Sequence, residues 1–171
     1  MTRELLILRH AKSAWDTRAA TDFDRPLSNR GTKAAPRVGR FLLREGLVPD
    51  YVVSSPAERA KQTVIAVCEE LSFDPHEIVW DRRIYGAWTS ALIQVLRESP
   101  PQAKRVLIAG HNPGLESLVE ELSEQGTAIP VDGKLMPTGA VAHLEIFSEW
   151  SELGSACAKL QSITRSRSLE K

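Results

Sequence analysis

Two histidines and two arginines are the residues of this sequence whose types and placing point to chemistry. Arg9 and His10 follow one short apolar run, Arg59 follows a second, and His111 ends a third. A guanidinium carries a permanent charge and a planar fork of donors that suits phosphate oxygens. An imidazole has an unperturbed pKa of about 6.5, so it can serve as nucleophile or donor near neutral pH. Brought together, the four side chains predict a pocket for a phosphate-sized anion.

The three apolar runs themselves predict buried strands, at residues 5–8 (LLIL), 51–55 (YVVSS) and 105–111 (RVLIAGH). Runs of Val, Ile and Leu without polar alternation are typical of strands covered on both faces of a parallel sheet. In open α/β sheets, ligands bind at the carboxyl ends of the strands. We therefore expect the two histidines and two arginines to share one rim of the sheet.

The segments between the runs carry helical spacing of apolar residues, which predicts an α/β domain with a mostly parallel central sheet flanked by helices. The predicted helices are residues 32–45, 57–71, 89–96 and 113–122, and the predicted further strands are 78–80, 140–147 and 157–163. Pro36 lies inside the first helix, so that helix is expected to begin late or to kink there. One domain is expected over residues 1–171, with residues 164–171 as a frayed tail.

The charge balance weighs against nucleic-acid and membrane roles. The chain has 171 residues with 22 basic and 22 acidic side chains, so its net charge is zero. Binding to a nucleic acid or a membrane surface would need a local basic patch, and the tail around Arg165 and Arg167 is interpreted as a solvated terminus instead. The apolar run near the N-terminus is far shorter than the roughly 7–15 residues of a signal-peptide core. A cytoplasmic protein is therefore expected.

Three motifs in this order along the chain resemble the histidine phosphatase superfamily, which includes the phosphoglycerate mutases and acid phosphatases: LRHAKS, SSPAERAKQT and GHNP. The first motif has Ala11 where Arg-His-Gly is usual in the family. Together with the segment DFDRPLSNRG (residues 22–31) and the compact length, this departure is closer to the short SixA-type phosphohistidine phosphatases. The resemblance covers residues 4–147 and implies the three-layer sandwich of the histidine phosphatase fold.

The resemblance also implies roles for individual residues. His10 would be the nucleophile that becomes transiently phosphorylated, and Arg9 and Arg59 would grip the transferring phosphoryl group. His111 would be the second histidine of the pocket, donating to the phosphoryl oxygens. Apart from the resemblance, Ser13 lies close enough to His10 in sequence to line the pocket and is a weaker candidate for phosphate contact. No metal and no other cofactor is implied, and the implied partner is a phosphorylated protein that bears phosphohistidine.

The general acid is the role that the sequence assigns least clearly. Asp81 is the only carboxylate in WDRRIYGAW, the segment where mutases and many phosphatases of the family carry a glutamate. The same aspartate equally suits a capping position. A weak acid matters less if the leaving group is an imidazole nitrogen, which departs more readily than an alkoxide. This reasoning favours a phosphohistidine substrate.

Other functions compete with this interpretation. The same chemistry could act on a small phosphate ester or on phosphorylated Ser, Thr or Tyr, and a silent module that only binds phosphoproteins is an alternative of another class. Little chain is left between Thr63 and His111 for a lid, and an open site suits a phosphate on a protein surface. A zinc site at His10 and His111 lacks a third ligand of sensible spacing. His76 and His143 are interpreted as a loop residue and a strand residue outside the site.

Overall fold

A six-stranded sheet forms the centre of the computed structural model, which describes residues 2–128 and 130–170. The strands are β1 (Arg3–Arg9), β2 (Tyr51–Ser54), β3 (Val79–Trp80), β4 (Arg105–Gly110), β5 (Val141–Ile146) and β6 (Ala158–Thr164). Their spatial order is β3-β2-β4-β1-β5-β6, parallel from β3 to β1 and antiparallel through β5 and β6. The predicted mostly parallel sheet is therefore confirmed.

Four helices cover the two faces of this sheet. They are α1 (Asn29–Arg44), α2 (Glu58–Glu70), α3 (Thr89–Arg97) and α4 (Gly114–Leu122). Helices α1 and α2 enclose one apolar core, and α3 and α4 enclose the other. Residues 5–8 of β1 are fully buried because Leu5 and Ile7 face the second core while Leu6 and Leu8 face the first. This double burial is the physical reason for the unbroken apolar run, and the predicted three-layer arrangement is confirmed.

Helix α1 begins earlier than the sequence predicts. Ser28 caps it, its hydroxyl accepting a hydrogen bond from the amide of Gly31 at 3.1 Å, and the helix continues through Pro36. The late start expected from Pro36 is therefore wrong. A Cβ at Gly31 would lie 2.1 Å from the carbonyl oxygen of Lys12, so only glycine allows the loop after β1 to pack this closely on α1.

Residues 164–171 are predicted from the sequence to form a frayed tail, but the described part of this segment packs against the domain. Strand β6 continues to Thr164, and residues 166–169 form a 3-10 turn. Arg165 donates to Asp132 at 2.6 and 3.1 Å, and Leu169 packs against the core under α1 and α2. These contacts order the segment as far as residue 170, and residue 171 lies outside the described residues.

Two histidines lie apart from the rim. His76 is almost fully exposed beside Asp74, and His143 pairs with Glu4 across β5 and β1. Both therefore lie where the sequence interpretation put them. In the described part of the chain, no helix combines the length and apolar character needed to cross a bilayer.

Candidate active site

The ends of β1 and β4 bring the two candidate histidines together. Arg9 lies opposite Gly110 in the parallel ladder between these strands, and the amide of His10 donates to the carbonyl of Gly110 at 3.1 Å. His111 follows Gly110 directly, so the register places the two histidines side by side. Their ring centroids are 5.2 Å apart and the ring planes are inclined by 53°.

His10 is held in one tautomer and kept neutral. Its Nδ1 lies 2.7 Å from the carbonyl oxygen of Ala11, and since a carbonyl only accepts, Nδ1 carries the proton. The lone pair is then left on Nε2. Burial lowers the pKa of His10 to about 4, with Arg59 and Arg9 adding to the effect. At neutral pH the ring is therefore an uncharged nucleophile with a fixed orientation.

His111 is neutral for the same reason and lies between two rings. Burial, together with the nearby His10 and Arg59, lowers its pKa to about 3. Its Nε2 is 2.8 Å from the hydroxyl of Ser55, while Nδ1 is buried and has no partner within residues 2–128 and 130–170. The ring of Tyr85 meets it edge-on, 5.4 Å between centroids. A nitrogen that lacks a protein partner is available to a ligand.

Arg9 brings to the rim a cation that is not in ion-pair contact with a carboxylate in the described ranges. Its Nη1 donates to the carbonyl of Met136 at 3.0 Å, and its buried Nε has no partner in the described ranges. Burial lowers the pKa of Arg9, Arg59 lowers it too, and Glu116 raises it. No ion pair is formed by Arg9 within the described ranges. A half-buried cation beside another cation favours an anionic ligand.

Arg59 comes from the first turn of α2 and is only 7% exposed. Its Nη1 donates to the backbone carbonyl of Asp22 at 2.7 Å, and its Nη2 donates to the carboxylate of Asp22 at 3.0 Å. The guanidinium is therefore oriented by a segment that joins β1 to α1. The structure brings all four predicted side chains, Arg9, His10, Arg59 and His111, to one rim.

Asp22 is the residue of this rim that the sequence analysis did not single out. Its carboxylate accepts from the hydroxyl of Tyr85 at 2.7 Å and from Arg25 at 2.7 Å, in addition to Arg59. The hydrogen bond from Tyr85, followed by those from Arg25 and Arg59, holds the pKa of Asp22 well below its usual range. Its only signal in the sequence is the interleaving of aspartates with Arg25 in DFDRPLSNRG.

Ser13 lies beneath Arg25. The Ser13 hydroxyl accepts from Arg25 Nη2 at 2.6 Å and is buried, and the Arg25 guanidinium stacks 3.5 Å from the centroid of the Trp15 ring. The structure therefore places Ser13 behind Arg25 in the wall of the site, with its hydroxyl already engaged.

Asp81 follows β3 but belongs to a separate ion cluster. Its carboxylate accepts from the backbone amide and guanidinium of Arg83, which also binds Glu98 at 2.8 and 3.0 Å. The hydrogen bonds from Arg83 lower the pKa of Asp81. A general acid needs a raised pKa, so this arrangement supports the capping interpretation and disfavours the acid.

A metal centre has no ligand set in the described ranges. No group of three or more His, Cys, Asp or Glu side chains there is placed to hold a metal ion. The pocket contains two arginines and two neutral histidines, and Asp22 pairs with Arg59. Such a site can bind a phosphoryl group and present it to His10.

A known protein family, a sequence relative and several solved structures are similar to this chain. Residues 5–121 match the histidine phosphatase superfamily (branch 1). An uncharacterised protein of Mycobacterium tuberculosis (strain H37Rv) is 31% identical over 157 residues, which is 90% of this chain and 96% of the relative. A solved SixA structure from Nakamurella multipartitia has a TM-score of 0.84 at 27% identity, covering 96% of each chain. The protein histidine phosphatase SixA complexed with tungstate has a TM-score of 0.82 at 22% identity, covering 98% of this chain and 99% of that one, and bears on the fold alone.

Proposed function

The chain belongs to the histidine phosphatase superfamily, and from that premise we propose that it hydrolyses phosphohistidine in proteins through a covalent intermediate on His10. The observation that carries the proposal is the state of His10. This ring is neutral, fixed by its Nδ1 hydrogen bond to Ala11, and lies among cations that favour a phosphoryl group. The proposal includes independence from metal ions and a cytoplasmic location. The free thiols Cys68 and Cys157 support the cytoplasmic location, because thiols stay reduced in that compartment.

In the first step, the Nε2 lone pair of His10 attacks phosphorus and the phosphorus–nitrogen bond of the substrate breaks. The substrate imidazole, protonated on its other ring nitrogen, takes the bond's electron pair and leaves as a neutral ring. His10 keeps its Nδ1 proton and becomes the phosphorylated imidazolium, stabilised by the carbonyl of Ala11. In the second step, water attacks phosphorus, dihydrogen phosphate leaves, and His10 returns to its neutral form.

Arg9, Arg59 and His111 would hold the phosphoryl oxygens during both steps. Phosphoryl transfer depends on positioning and on electrostatic stabilisation of the three equatorial oxygens. The two guanidiniums supply charge, and the unpartnered Nδ1 of His111 supplies a donor when Nε2 accepts from the hydroxyl of Ser55. The protein contacts of these side chains support the assignment, because they leave His111 Nδ1 without a protein partner in the described ranges.

The carboxylates near the strand ends support an imidazole leaving group. Hydrogen bonds from Tyr85, and then from Arg25 and Arg59, lower the pKa of Asp22, and hydrogen bonds from Arg83 lower the pKa of Asp81, so both carboxyls are held ionised. An alkoxide leaving group needs a proton from a nearby acid, and neither carboxyl is poised to give one. Transfer between two imidazoles exchanges one phosphorus–nitrogen bond for another and needs no such acid.

Large aromatic side chains near the site support a protein substrate. Trp15 is 75% exposed where it covers Arg25, and Trp88, three residues after Tyr85, is 82% exposed. Exposed aromatic rings are enriched at protein interfaces because they bury a large apolar area at low entropic cost. A phosphate presented on a protein surface would meet these rings as it enters the pocket.

The test is phosphate release from a phosphohistidine-bearing protein, with EDTA present, by wild type and by His10→Ala side by side. An alkaline quench of the wild-type reaction should trap a phosphoenzyme that His10→Ala does not form. An aryl phosphate is assayed in parallel. Turnover of the aryl phosphate alone would move the substrate to phosphate esters, and silence on both would favour the phosphoprotein-binding module.

A further inference from the structure

A basic groove beside the phosphate pocket points to a second binding surface. One side of it is formed by α1, whose Arg30, Lys33 and Arg37 lie along the same helix face. Like charges at these three- and four-residue spacings repel and destabilise an isolated helix. Within the described residues none of these three side chains forms an ion pair. The helix therefore carries a positive stripe in which none of the three cations is paired in the described ranges, with Glu170 beside it in the groove.

The other side of the groove is built from segments distant in sequence. Lys12 comes from the loop after β1, Lys134 from the loop before β5, and Arg165 and Arg167 from the C-terminal turn. Asp132 also lines this side, but its carboxylate is taken up by Arg165 at 2.6 and 3.1 Å. The enclosed part of the groove has a volume of about 200 Å³.

The groove concentrates positive charge in a chain that is neutral as a whole. Seven basic and two acidic side chains line it, and seven minus two gives +5. Because the net charge of the chain is zero, the remaining residues carry −5. In the sequence only the two arginines of the tail, Arg165 and Arg167, stand out as a basic cluster. The tertiary structure adds five cations to them and so forms the local basic patch that the composition did not reveal.

The groove lies next to the backbone segments that carry the phosphate pocket. Lys12 is two residues from His10, and Thr138, which lines the groove, precedes Gly139, whose amide donates to the carbonyl of His10 at 2.9 Å. The floor is fixed, since the carbonyl of Lys12 accepts from the amide of Ser28 at 2.8 Å. A polypeptide with its phosphorylated residue at His10 would lay its flanking residues along these cations.

We propose that the basic groove docks an acidic segment of the phosphoprotein substrate, whose carboxylates pair with Lys33, Arg37 and their neighbours. This inference rests on the proposed function for the identity of the partner, but the groove's affinity for acidic chain can be measured without it. Single-stranded nucleic acid is a weaker fit, because such sites stack bases on aromatic rings and the side chains that line the groove include none. The contacts supply selectivity and a faster encounter more than raw affinity.

The variant that tests the groove is Lys33→Glu/Arg37→Glu. Neither side chain forms a hydrogen bond or ion pair among the described residues, so the fold should be retained. The matched control is Arg44→Glu/Lys104→Glu, which changes the net charge equally at exposed positions that do not line the groove. Circular dichroism verifies that all three proteins are folded.

Binding is measured by fluorescence anisotropy at low ionic strength, with a labelled Asp/Glu-rich peptide that carries no phosphoryl group. Wild type and the control should bind it alike, and Lys33→Glu/Arg37→Glu should bind it about tenfold more weakly or worse. Absence of binding to wild type, or equal weakening in both variants, would overturn the groove. If single-stranded DNA of the same charge bound more tightly than the peptide, and Lys33→Glu/Arg37→Glu lost that binding, the groove would be a nucleic-acid site and the proposal would be wrong.

Kinetics separate the groove from the proposed function. On a phosphohistidine-bearing protein with an acidic segment, Lys33→Glu/Arg37→Glu should raise KM about tenfold with kcat unchanged, while a free phosphohistidine should be turned over normally. A wild type that hydrolyses neither would remove the proposed function, and the peptide measurement would still decide the groove. An active wild type whose KM is unaffected by the variant would remove docking and leave the function in place.

Discussion

Two clusters of charged side chains follow parallel strands of the sheet, and they differ in burial and in charge balance. The phosphate pocket after β1 and β4 holds Arg59 buried and Arg9 half-buried, with Asp22 as the carboxylate that pairs with Arg59. The cluster after β3 holds Arg83 between Asp81 and Glu98 near the surface, with each charge paired. Buried charge that the protein leaves under-compensated has a large desolvation cost, which a bound anion offsets. Exposed, fully paired charge contributes little to stability and leaves nothing for a ligand.

The largest loss of kcat in this comparison is expected from His111→Ala, inside the phosphate pocket. Removing a donor that stabilises a developing oxyanion costs about 10²–10³ in kcat. His143→Ala is the matched control, because His143 pairs with Glu4 away from the rim. Steady-state kinetics on a phosphohistidine-bearing protein gives both values, and similar losses in the two variants would show that His111 is structural.

Arg59→Ala compared with Arg83→Ala tests the two clusters directly. Losing a charge-assisted hydrogen bond from a buried guanidinium should weaken phosphate affinity by about 1.5–3 kcal/mol, roughly 10–150-fold. Arg83→Ala should leave phosphate affinity unchanged, because Arg83 is engaged by Asp81 and Glu98. Calorimetric titration with inorganic phosphate measures both. Retention of wild-type affinity in Arg59→Ala would remove Arg59 from the pocket.

The pH dependence should report the burial of His10. With its pKa lowered from 6.5 to about 4, the ring stays neutral well into the acid range. Once the titration of the substrate imidazole is divided out, kcat/KM should be flat from neutral pH to about pH 5 and halved near pH 4. An ordinary histidine would already lose half its activity near its unperturbed pKa of about 6.5. A midpoint there would mean that the pocket does not exclude the charged ring.

Stability should follow the same groups with a defined sign. His10 and His111 bind protons in the unfolded chain below pH 6.5 but in the folded chain only below about 4 and about 3. The free energy of unfolding should therefore fall as pH drops from 6.5 towards 4. Urea titrations of wild type and His111→Ala across this range measure the slope, which should be shallower in the variant.

The smallest effect is expected from Asp81→Asn. The side chain caps a 3-10 turn and pairs with Arg83, so its loss should cost about 0.5–2 kcal/mol of stability at most and change kcat by less than about twofold. Thermal unfolding and the phosphohistidine assay measure the two quantities. A large fall in kcat with normal stability would return Asp81 to the role of general acid.

The strands, the helices that cover them and the grouping of the strand-end residues could all be predicted from the sequence. The unbroken runs at 5–8 and 105–111 report burial on both faces of a parallel sheet, and helical spacing reports the layers that cover it. Strand ends in such a sheet meet at one rim, so the order of the chain is enough to group Arg9, His10, Arg59 and His111. These inferences succeed because burial and hydrogen-bonding leave a periodic signal along the chain.

The pairing of charged side chains from separate segments could be seen only in the folded chain. Asp22 and Tyr85 are far apart in sequence, yet their hydrogen bond fixes the carboxylate that orients Arg59. The basic groove likewise gathers cations from the loop after β1, from α1 and from the C-terminal turn. Side chains at such contacts come from separate loops with no shared period, so local pattern carries no trace of the pairing. Burial can be inferred from neighbours in the chain, whereas charge compensation depends on neighbours in space.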